Sequence, residues 1–259
     1  MPAEESTPAI VLRARDYSES DRIVTLLTRD FGKLSGMAKG AKASRRRFER
    51  KLEPFSHVML YFRRRPHGQL VFVTRAEMAD GITSIDVEGD LGKIALGSYL
   101  LEFTDALTSE QADAAGAYRA LIEALTAITA SGASQSLRQA FELRMLAWAG
   151  FGLDFGRCRG CGSSIPEETS AVYFVVSRGG VLCTRCRSSI QEGAIRMESS
   201  SASALAALAG CPVADAIAMQ HGCANATAAL ARFISTVIDR RLRSAAFLDS
   251  VLPMNGSPK

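Results

Sequence analysis

Four cysteines, arranged as two close pairs, are the feature that most constrains this chain. Cys158 and Cys161 form one pair and Cys183 and Cys186 the other, in the pattern C-x2-C-x21-C-x2-C. Two such pairs on tight turns can close a tetrahedron of thiolates around one Zn²⁺. Four sulfurs leave no coordination position open, so we expect one structural zinc ion rather than a catalytic one. The alternative is two CxxC units that are redox-active or disulfide-bonded.

The composition predicts folded domains in a reducing compartment. Hydrophobic residues make up 47% of the 259 residues, which is ample for packed cores. No apolar run reaches the roughly 18 residues that a membrane-spanning helix needs, so we expect no membrane association. The first residues lack the basic and apolar regions of a secretory signal, and a cytoplasmic location follows as an expectation.

Short strands are predicted for residues 8–80. The segments are Ile10–Leu12, Ile23–Thr28, Leu34–Ala38, Val58–Phe62 and Leu70–Thr74. In the fourth, Val58, Leu60 and Phe62 should point to one face and the residues between them to the other. Turns are expected at residues 30–33 and 65–68. Five short strands joined by turns and one long basic loop fit an OB-type barrel, and an open sandwich is the alternative.

Helical periodicity begins near residue 89. Predicted helices start at Leu91 and then cover Ala115–Ala130, Leu137–Trp148, Ser203–Ala209, Val213–Gln220 and Ala226–Arg243. Short strands at residues 172–176 and 180–182 lie between the cysteine pairs. The fold class is therefore multidomain α+β. We expect an OB-fold nucleic-acid-binding domain (1–80), a helical domain in two parts (81–157 and 191–252), a four-cysteine zinc module (158–190) and a frayed tail (253–259).

Positive charge is concentrated in the predicted barrel. Residues 29–75 contain 13 Lys and Arg against three acidic residues, whereas residues 76–157 contain 12 acidic residues against five Lys and Arg. Clustered cations repel one another unless an anion relieves them, and a phosphate backbone is the natural anion. The predicted DNA-binding residues are Lys39, Lys42, Arg45, Arg46, Arg47, Arg50, Lys51, Arg63, Arg64 and Arg65. The alternative is a solubilising face or a targeting run.

Aromatic residues near these cations could stack on unpaired bases. Phe48 lies inside the basic loop, with Phe55 and Tyr61 close by in the sequence. The alternative for each is core packing, which we favour for Phe55. No phosphate-binding loop, dinucleotide fingerprint, nucleophile elbow or HExxH motif is present in the sequence, so we do not expect an enzyme.

The junction between the third helix and the first cysteine pair resembles a known family. Residues 141–162 read FELRMLAWAGFGLDFGRCRGCG. This is similar to the bacterial recombination mediator family RecO, in which a helix reading FELR-x-L is followed by Gly, a short Leu-Asp linker and C-x-x-C-G. The turn at residues 16–21, the segments 31–33 and 39–41, the second cysteine pair and residues 242–248 also fit. The resemblance covers most of residues 8–250.

The resemblance implies a specific activity. Members of such a family bind single- and double-stranded DNA, anneal complementary strands and act with RecR. They contact single-stranded-DNA-binding protein (SSB) and help to load RecA onto coated strands. This predicts a non-catalytic, nucleoid-associated mediator of DNA repair. The alternatives are a zinc-ribbon protein that binds DNA or polymerase in transcription, and a metal-dependent nuclease.

Overall fold

Five strands at the start of the chain close into a barrel. In the computed structural model they are β1 (Glu5–Asp16), β2 (Arg22–Thr28), β3 (Gly32–Ala38), β4 (His57–Arg63) and β5 (Val71–Glu77). Their order around the barrel is β1-β2-β3-β5-β4, and every pairing is antiparallel except the parallel contact of β3 with β5. The closed barrel confirms the predicted OB-type fold over the open sandwich.

The structure describes residues 3–44, 47–48, 50–65, 70–78, 85–166, 169–189, 193–219 and 224–252. Several predictions fall outside these residues. They concern the turn residues Pro66 to Gly68, the tail 253–259, and Arg45 and Arg46 of the basic loop.

Alternation of side chains along the strands builds the barrel interior. Val58, Leu60 and Phe62 of β4 are fully buried in it, as predicted, and the residues between them are half-buried on the outer face. The β2–β3 turn depends on Gly32, whose φ of +67° lies in the left-handed region. A Cβ atom there would approach the backbone oxygen of Ala112 to 1.9 Å, so the turn accepts no larger residue.

Six α-helices follow the barrel within the described residues. They are α1 (Leu91–Leu107), α2 (Ala115–Ser131), α3 (Gln135–Trp148), α4 (Ser199–Gly210), α5 (Ala224–Val237) and α6 (Arg243–Val251). The predicted helix Ala226–Arg243 is wrong beyond Val237. Leu242 has an extended backbone and a buried side chain, which redirects the chain before α6. The predicted helix over Val213–Gln220 is replaced, within its described part, by a short 3-10 helix at Ala214–Ala218.

A small antiparallel sheet carries the cysteine pairs. It comprises β6 (Ala171–Val175), β7 (Gly180–Leu182) and β8 (Ile195–Glu198), in the order β7-β6-β8. The sequence did not predict β8, which has only four residues and one fully buried side chain. Phe174 of β6 packs edge-on against Phe233 of α5, with ring centroids 6.4 Å apart. The sheet is thereby attached to the helices of the same unit.

The chain divides into two compact units. The first comprises Met1–Asp90 with Gly97–Ala130, and the second comprises Leu91–Leu96 with Ser131–Lys259. In the first unit, His57 of β4 lies 2.7 Å from the Tyr118 hydroxyl of α2, and burial raises the pKa of Tyr118 to about 12. The division into sequence domains at residues 80, 157, 190 and 252 stays a prediction.

Candidate metal site and basic loop

Two tight turns present the four cysteines. In the first, the amide of Cys158 donates to the carbonyl of Ser163 at 2.9 Å, and the amide of Gly162 donates to the carbonyl of Cys158 at 2.8 Å. In the second, the amide of Cys186 donates to the carbonyl of Cys183 at 3.1 Å. Each turn folds its two cysteines onto one side, which is the geometry that the two-residue spacing predicts.

The four sulfur atoms converge. All four Sγ atoms lie within 4.8 Å of one another, and the sulfurs of Cys161 and Cys183 are 4.0 Å apart. Zinc–sulfur bonds of about 2.3 Å in a tetrahedron place the sulfurs about 3.8 Å apart, so the cluster has room for one ion. The described cysteines form no disulfide. The four residues could therefore hold a metal ion.

The backbone around Cys158 is arranged to stabilise a thiolate. The amides of Gly160 and Cys183 donate to the Cys158 sulfur at 3.4 and 3.3 Å. Gly160 also permits the close approach of the two turns, because a Cβ atom there would lie 2.9 Å from the Cβ of Cys186. Cys158 is 1% exposed and packs against Val175 and Leu182, whereas Cys161 is exposed.

The neighbours of these thiols lower the pKa of two of them and raise the pKa of a third. Burial raises the pKa of Cys158, but amide donors from Cys183, Cys161 and Gly160 together outweigh it and lower that pKa. The hydroxyl and amide of Ser163 lower the pKa of Cys161 to about 6. Hydrogen bonding to Cys183 and the other thiols raises the pKa of Cys186 to about 12. A divalent cation would supply the positive charge that four thiolates require.

The basic loop between β3 and β4 is attached to the β1–β2 turn. The amide of Gly40 donates to the Asp21 carboxylate at 2.8 Å, and the amide of Lys42 donates to the carbonyl of Ser20 at 3.1 Å. The Arg47 guanidinium donates to the carbonyl of Lys39 at 3.0 Å, which closes the loop on itself. These contacts fix the described backbone near Lys39 and Lys42, two of the predicted DNA-binding residues.

Acids from β1 and the residue before it lie against three of the predicted DNA-binding cations. These pairs are Lys42–Asp16 at 2.7 Å, Arg63–Glu4 at 4.0 Å and Arg64–Glu5 at 3.0 Å. Among the described residues, Arg47, Arg50 and Arg65 form no ion pair, and all three are exposed. Lys39 is also exposed, and Lys51 is half-buried.

The predicted DNA-binding residues that the structure describes do not form one compact cluster. Lys42 lies at the β1–β2 turn, whereas the guanidinium of Arg64 lies 5.3 Å from the ring centroid of Phe31 in the β2–β3 turn. The seven residues of β2 separate these two turns by about 20 Å. The loop residues and the end of β4 are therefore two distinct basic regions of the barrel.

The aromatic residues near the basic loop are mostly covered by other parts of the protein. Phe48 is 2% exposed and belongs to the barrel core, so in this conformation its ring is not available to a base. The Arg75 guanidinium covers Tyr61 at 3.7 Å from the ring centroid. Phe55 is half-buried, and its ring packs against Gly97 of α1. Core packing, the alternative considered for each, describes Phe48 and Phe55.

Sequence reasoning missed the residues that position the loop. Arg22 of β2 forms ion pairs with Asp16, at 3.1 Å, and with Glu53. Asp16 lies outside the basic segment 29–75, but its register partner in the β1–β2 hairpin is Arg22. The pairing of the two strands across the turn at residues 16–21 is the sequence signal that could have predicted this contact.

The fold and the site define a class of protein: an OB-type barrel followed by a helical region with a four-cysteine cluster. The family model "Recombination protein O N terminal" matches residues 1–82, and "Recombination protein O C terminal" matches residues 88–246. The chain belongs to the RecO family of DNA repair proteins, which confirms the resemblance and assigns it a role in DNA repair and recombination.

Curated relatives named as RecO proteins align with almost the whole chain. A "DNA repair protein RecO" of Anaeromyxobacter sp. (strain Fw109-5) is 38% identical over 249 residues, which cover 95% of this chain and 96% of the relative. One from Symbiobacterium thermophilum is 31% identical over 248 residues, covering 93% of this chain and 95% of the relative. Within the described residues, no helix combines the length and apolar character needed to cross a bilayer.

Proposed function

We propose that this protein is a non-catalytic recombination mediator that binds single- and double-stranded DNA and anneals complementary strands. With RecR it helps to load RecA onto strands coated by SSB. It acts in the cytoplasm, in association with the nucleoid. One zinc ion held by the four cysteines is structural in this proposal.

The observation that carries the DNA-binding step is the pair of exposed arginines in the β3–β4 loop. Arg47 and Arg50 form no ion pair among the described residues, and they lie on a barrel of a type that commonly binds nucleic acids. Guanidinium groups that no carboxylate neutralises bind phosphates, and the DNA then releases counterions, so the affinity should fall steeply with salt.

Annealing follows from neutralising phosphates. Two complementary strands repel each other, and cations that grip each strand lower this repulsion so that bases can find their partners. Base pairing supplies the free energy, and the sequence contains no phosphate-binding loop that would couple the reaction to ATP. This supports a mediator that changes no covalent bond in DNA.

The cysteine cluster supports a structural role for the metal. Cys158, Cys161, Cys183 and Cys186 would supply all four ligands of a tetrahedral ion, which leaves no position for a water molecule or substrate. When bound, zinc would supply the positive charge that holds the two turns together. The surrounding amide donors and the contacts of Cys158 with Leu182 and Val175 orient the first ligand.

The experiment replaces the unpaired arginines and measures DNA binding and annealing. Arg47→Gln with Arg50→Gln should weaken binding to a single-stranded oligonucleotide about 25-fold at about 0.1 M salt, because two phosphate contacts lower the salt slope by about 1.4. Annealing of SSB-coated complementary oligonucleotides, with RecR present, should slow with it. The matched control is Arg29→Gln with Arg119→Gln, which removes the same charge elsewhere in the first unit.

Two outcomes would overturn the proposal. If both double variants weaken DNA binding equally, and thermal unfolding shows that both barrels are intact, the loop has no specific role in DNA binding. Cleavage of labelled DNA by the wild-type protein in the presence of a divalent metal ion would contradict a non-catalytic role and favour a nuclease.

A further inference from the structure

A small cavity lies beneath the basic loop. Its volume is about 190 Å³, and Arg22, Lys42 and Arg50 line it together with Glu53. Phe48 and Leu52, which belong to the barrel core, also line it. A cavity with three cations above an apolar base is suited to an anion that presents several oxygen atoms.

Two carboxylates already lie on these cations. Asp16 bridges them, at 3.1 Å from the Arg22 guanidinium and 2.7 Å from the Lys42 ammonium. Glu53 pairs with Arg22 from the other side. The Lys42 hydrogen bond holds the pKa of Asp16 below its usual range, with Arg22 contributing. Asp16 therefore stays ionised near neutral pH, and both carboxylates occupy cations that a phosphate would use.

Arg50 is the cation of the cavity that has no acidic partner among the described residues. Its backbone φ is +59°, in a region that residues other than glycine rarely adopt. The carbonyl of Arg50 accepts from the Ser56 hydroxyl at 3.3 Å and from the amide of Glu53 at 3.4 Å, contacts that hold this conformation. Strained residues held by their surroundings are common at ligand sites.

We propose that this cavity is a phosphate-binding pocket of the DNA interface, in which a phosphodiester group displaces Asp16 from Lys42 and Arg22. The pocket rests on the proposed function, since DNA must be the ligand of the barrel. The Asp16 side chain is 58% exposed, so after displacement it returns to water at little cost. Glu53 keeps Arg22 oriented while the phosphate binds, and Arg50 completes the ligand set.

If a phosphate displaces Asp16, then removing the Asp16 carboxylate should strengthen DNA binding, and removing other acids of the barrel should not. Asp16→Asn keeps a carbonyl that accepts from Arg22 but no longer neutralises Lys42. We expect a gain of about three- to fivefold in affinity for a single-stranded oligonucleotide, at the upper end of what the loss of one competing exposed ion pair allows. The salt slope should stay unchanged, because the same phosphate contact forms in both proteins. Fluorescence anisotropy over a salt series measures both quantities.

Asp30→Asn is the matched control. Asp30 is also a barrel acid paired with an arginine, Arg29 at 3.0 Å, but it lies at the β2–β3 turn. The control should change affinity less than twofold. Equal gains from both variants would mean that only the net charge matters, and the pocket would be disproved.

A double-mutant cycle tests the contact itself. In a Lys42→Gln background, the gain from Asp16→Asn should largely vanish, because the displaced cation is absent. A gain that persists undiminished would contradict the exchange. If the wild-type protein binds DNA with a normal salt slope and this cycle fails, the pocket is wrong. If the wild-type protein binds no oligonucleotide, the proposed function itself fails.

Inorganic phosphate distinguishes the two sources of the phosphate group. At equal ionic strength, phosphate and chloride should weaken oligonucleotide binding to within twofold of each other, because an isolated phosphate lacks the neighbouring contacts of a strand. Much stronger competition by inorganic phosphate would assign the pocket to the free anion and overturn its place in the DNA interface.

Discussion

The cysteine pairs and the basic loop both consist of like residues grouped in the sequence, but the structure brings only the cysteines together into one cluster. The four sulfurs lie within 4.8 Å of one another: each short turn fixes one pair locally, and the amide of Cys183 donates to the Cys158 sulfur across the two turns. The loop cations instead meet acids from a distant strand, such as Asp16 on Lys42. Spacing therefore predicts a ligand set well, whereas the charge of a surface depends on which strands the fold brings together.

The largest expected effect is at the cysteine cluster. Cys158→Ser removes the buried ligand, and a structural zinc site can contribute about 10 kcal/mol or more to the folding of its own module. We expect loss of the zinc ion that the cluster is proposed to bind, and early proteolysis between residues 150 and 198. Metal analysis and limited proteolysis measure these effects. The fluorescence of Trp148, the single tryptophan, reports on the same compact unit.

Cys211→Ser is the control for this variant. Cys211 lies outside the cluster, at the end of α4, and its thiol donates to the carbonyl of Leu208 at 3.4 Å, which a hydroxyl can replace. Metal content should stay unchanged. DNA affinity should stay within twofold of the wild type in both variants, because the loop is on the other unit. If Cys158→Ser abolished DNA binding while the barrel stayed folded, the cysteine module would have to contact DNA directly.

The contrast between the two regions also explains how far the sequence could be interpreted. Strand alternation such as Val58, Leu60 and Phe62 predicts the barrel because a two-residue period needs no knowledge of the partner strand. The turn within each cysteine pair is predictable for the same local reason, and a shared metal ion is what predicts that the two pairs meet. Phe48 was not, since nothing in a loop sequence indicates that one side chain turns into the barrel. The break before α6 was also missed, because the burial of Leu242 depends on residues far away in sequence.

The next largest effect is expected at Phe48, where substitutions distinguish core packing from base stacking. Phe48→Ala should lower the free energy of unfolding of the barrel by about 3–5 kcal/mol, because a buried aromatic side chain is lost and a cavity remains. Phe48→Leu keeps most of the buried volume and should cost less than half as much. Thermal and denaturant unfolding measure the difference.

DNA binding by the leucine variant decides between the two roles. Phe48→Leu should bind a single-stranded oligonucleotide within twofold of the wild type, because the ring is 2% exposed in the barrel core and leucine keeps an apolar side chain at this wall of the pocket. Loss of a base-stacking partner would instead cost about 1–3 kcal/mol of binding free energy without loss of stability. That result would mean that the basic loop changes conformation when DNA binds and exposes Phe48. The sequence would then have indicated the role of the loop as well as it indicates the cysteine cluster.

The smallest expected effect comes from two glycines of the first cysteine turn. In Gly160→Ala the new Cβ would lie 2.9 Å from the Cβ of Cys186, so the two turns must separate. In Gly162→Ala the new Cβ has nothing within 4 Å, and the strain comes only from a φ of +73°. We expect Gly160→Ala to weaken zinc affinity about 10- to 100-fold, as is usual when the surroundings of a metal ligand are disturbed. Gly162→Ala should cost about 1 kcal/mol of stability and less metal affinity. Competition with a chromophoric chelator measures both, and equal losses would show that the approach of Gly160 to Cys186 does not determine how tightly the ion is held.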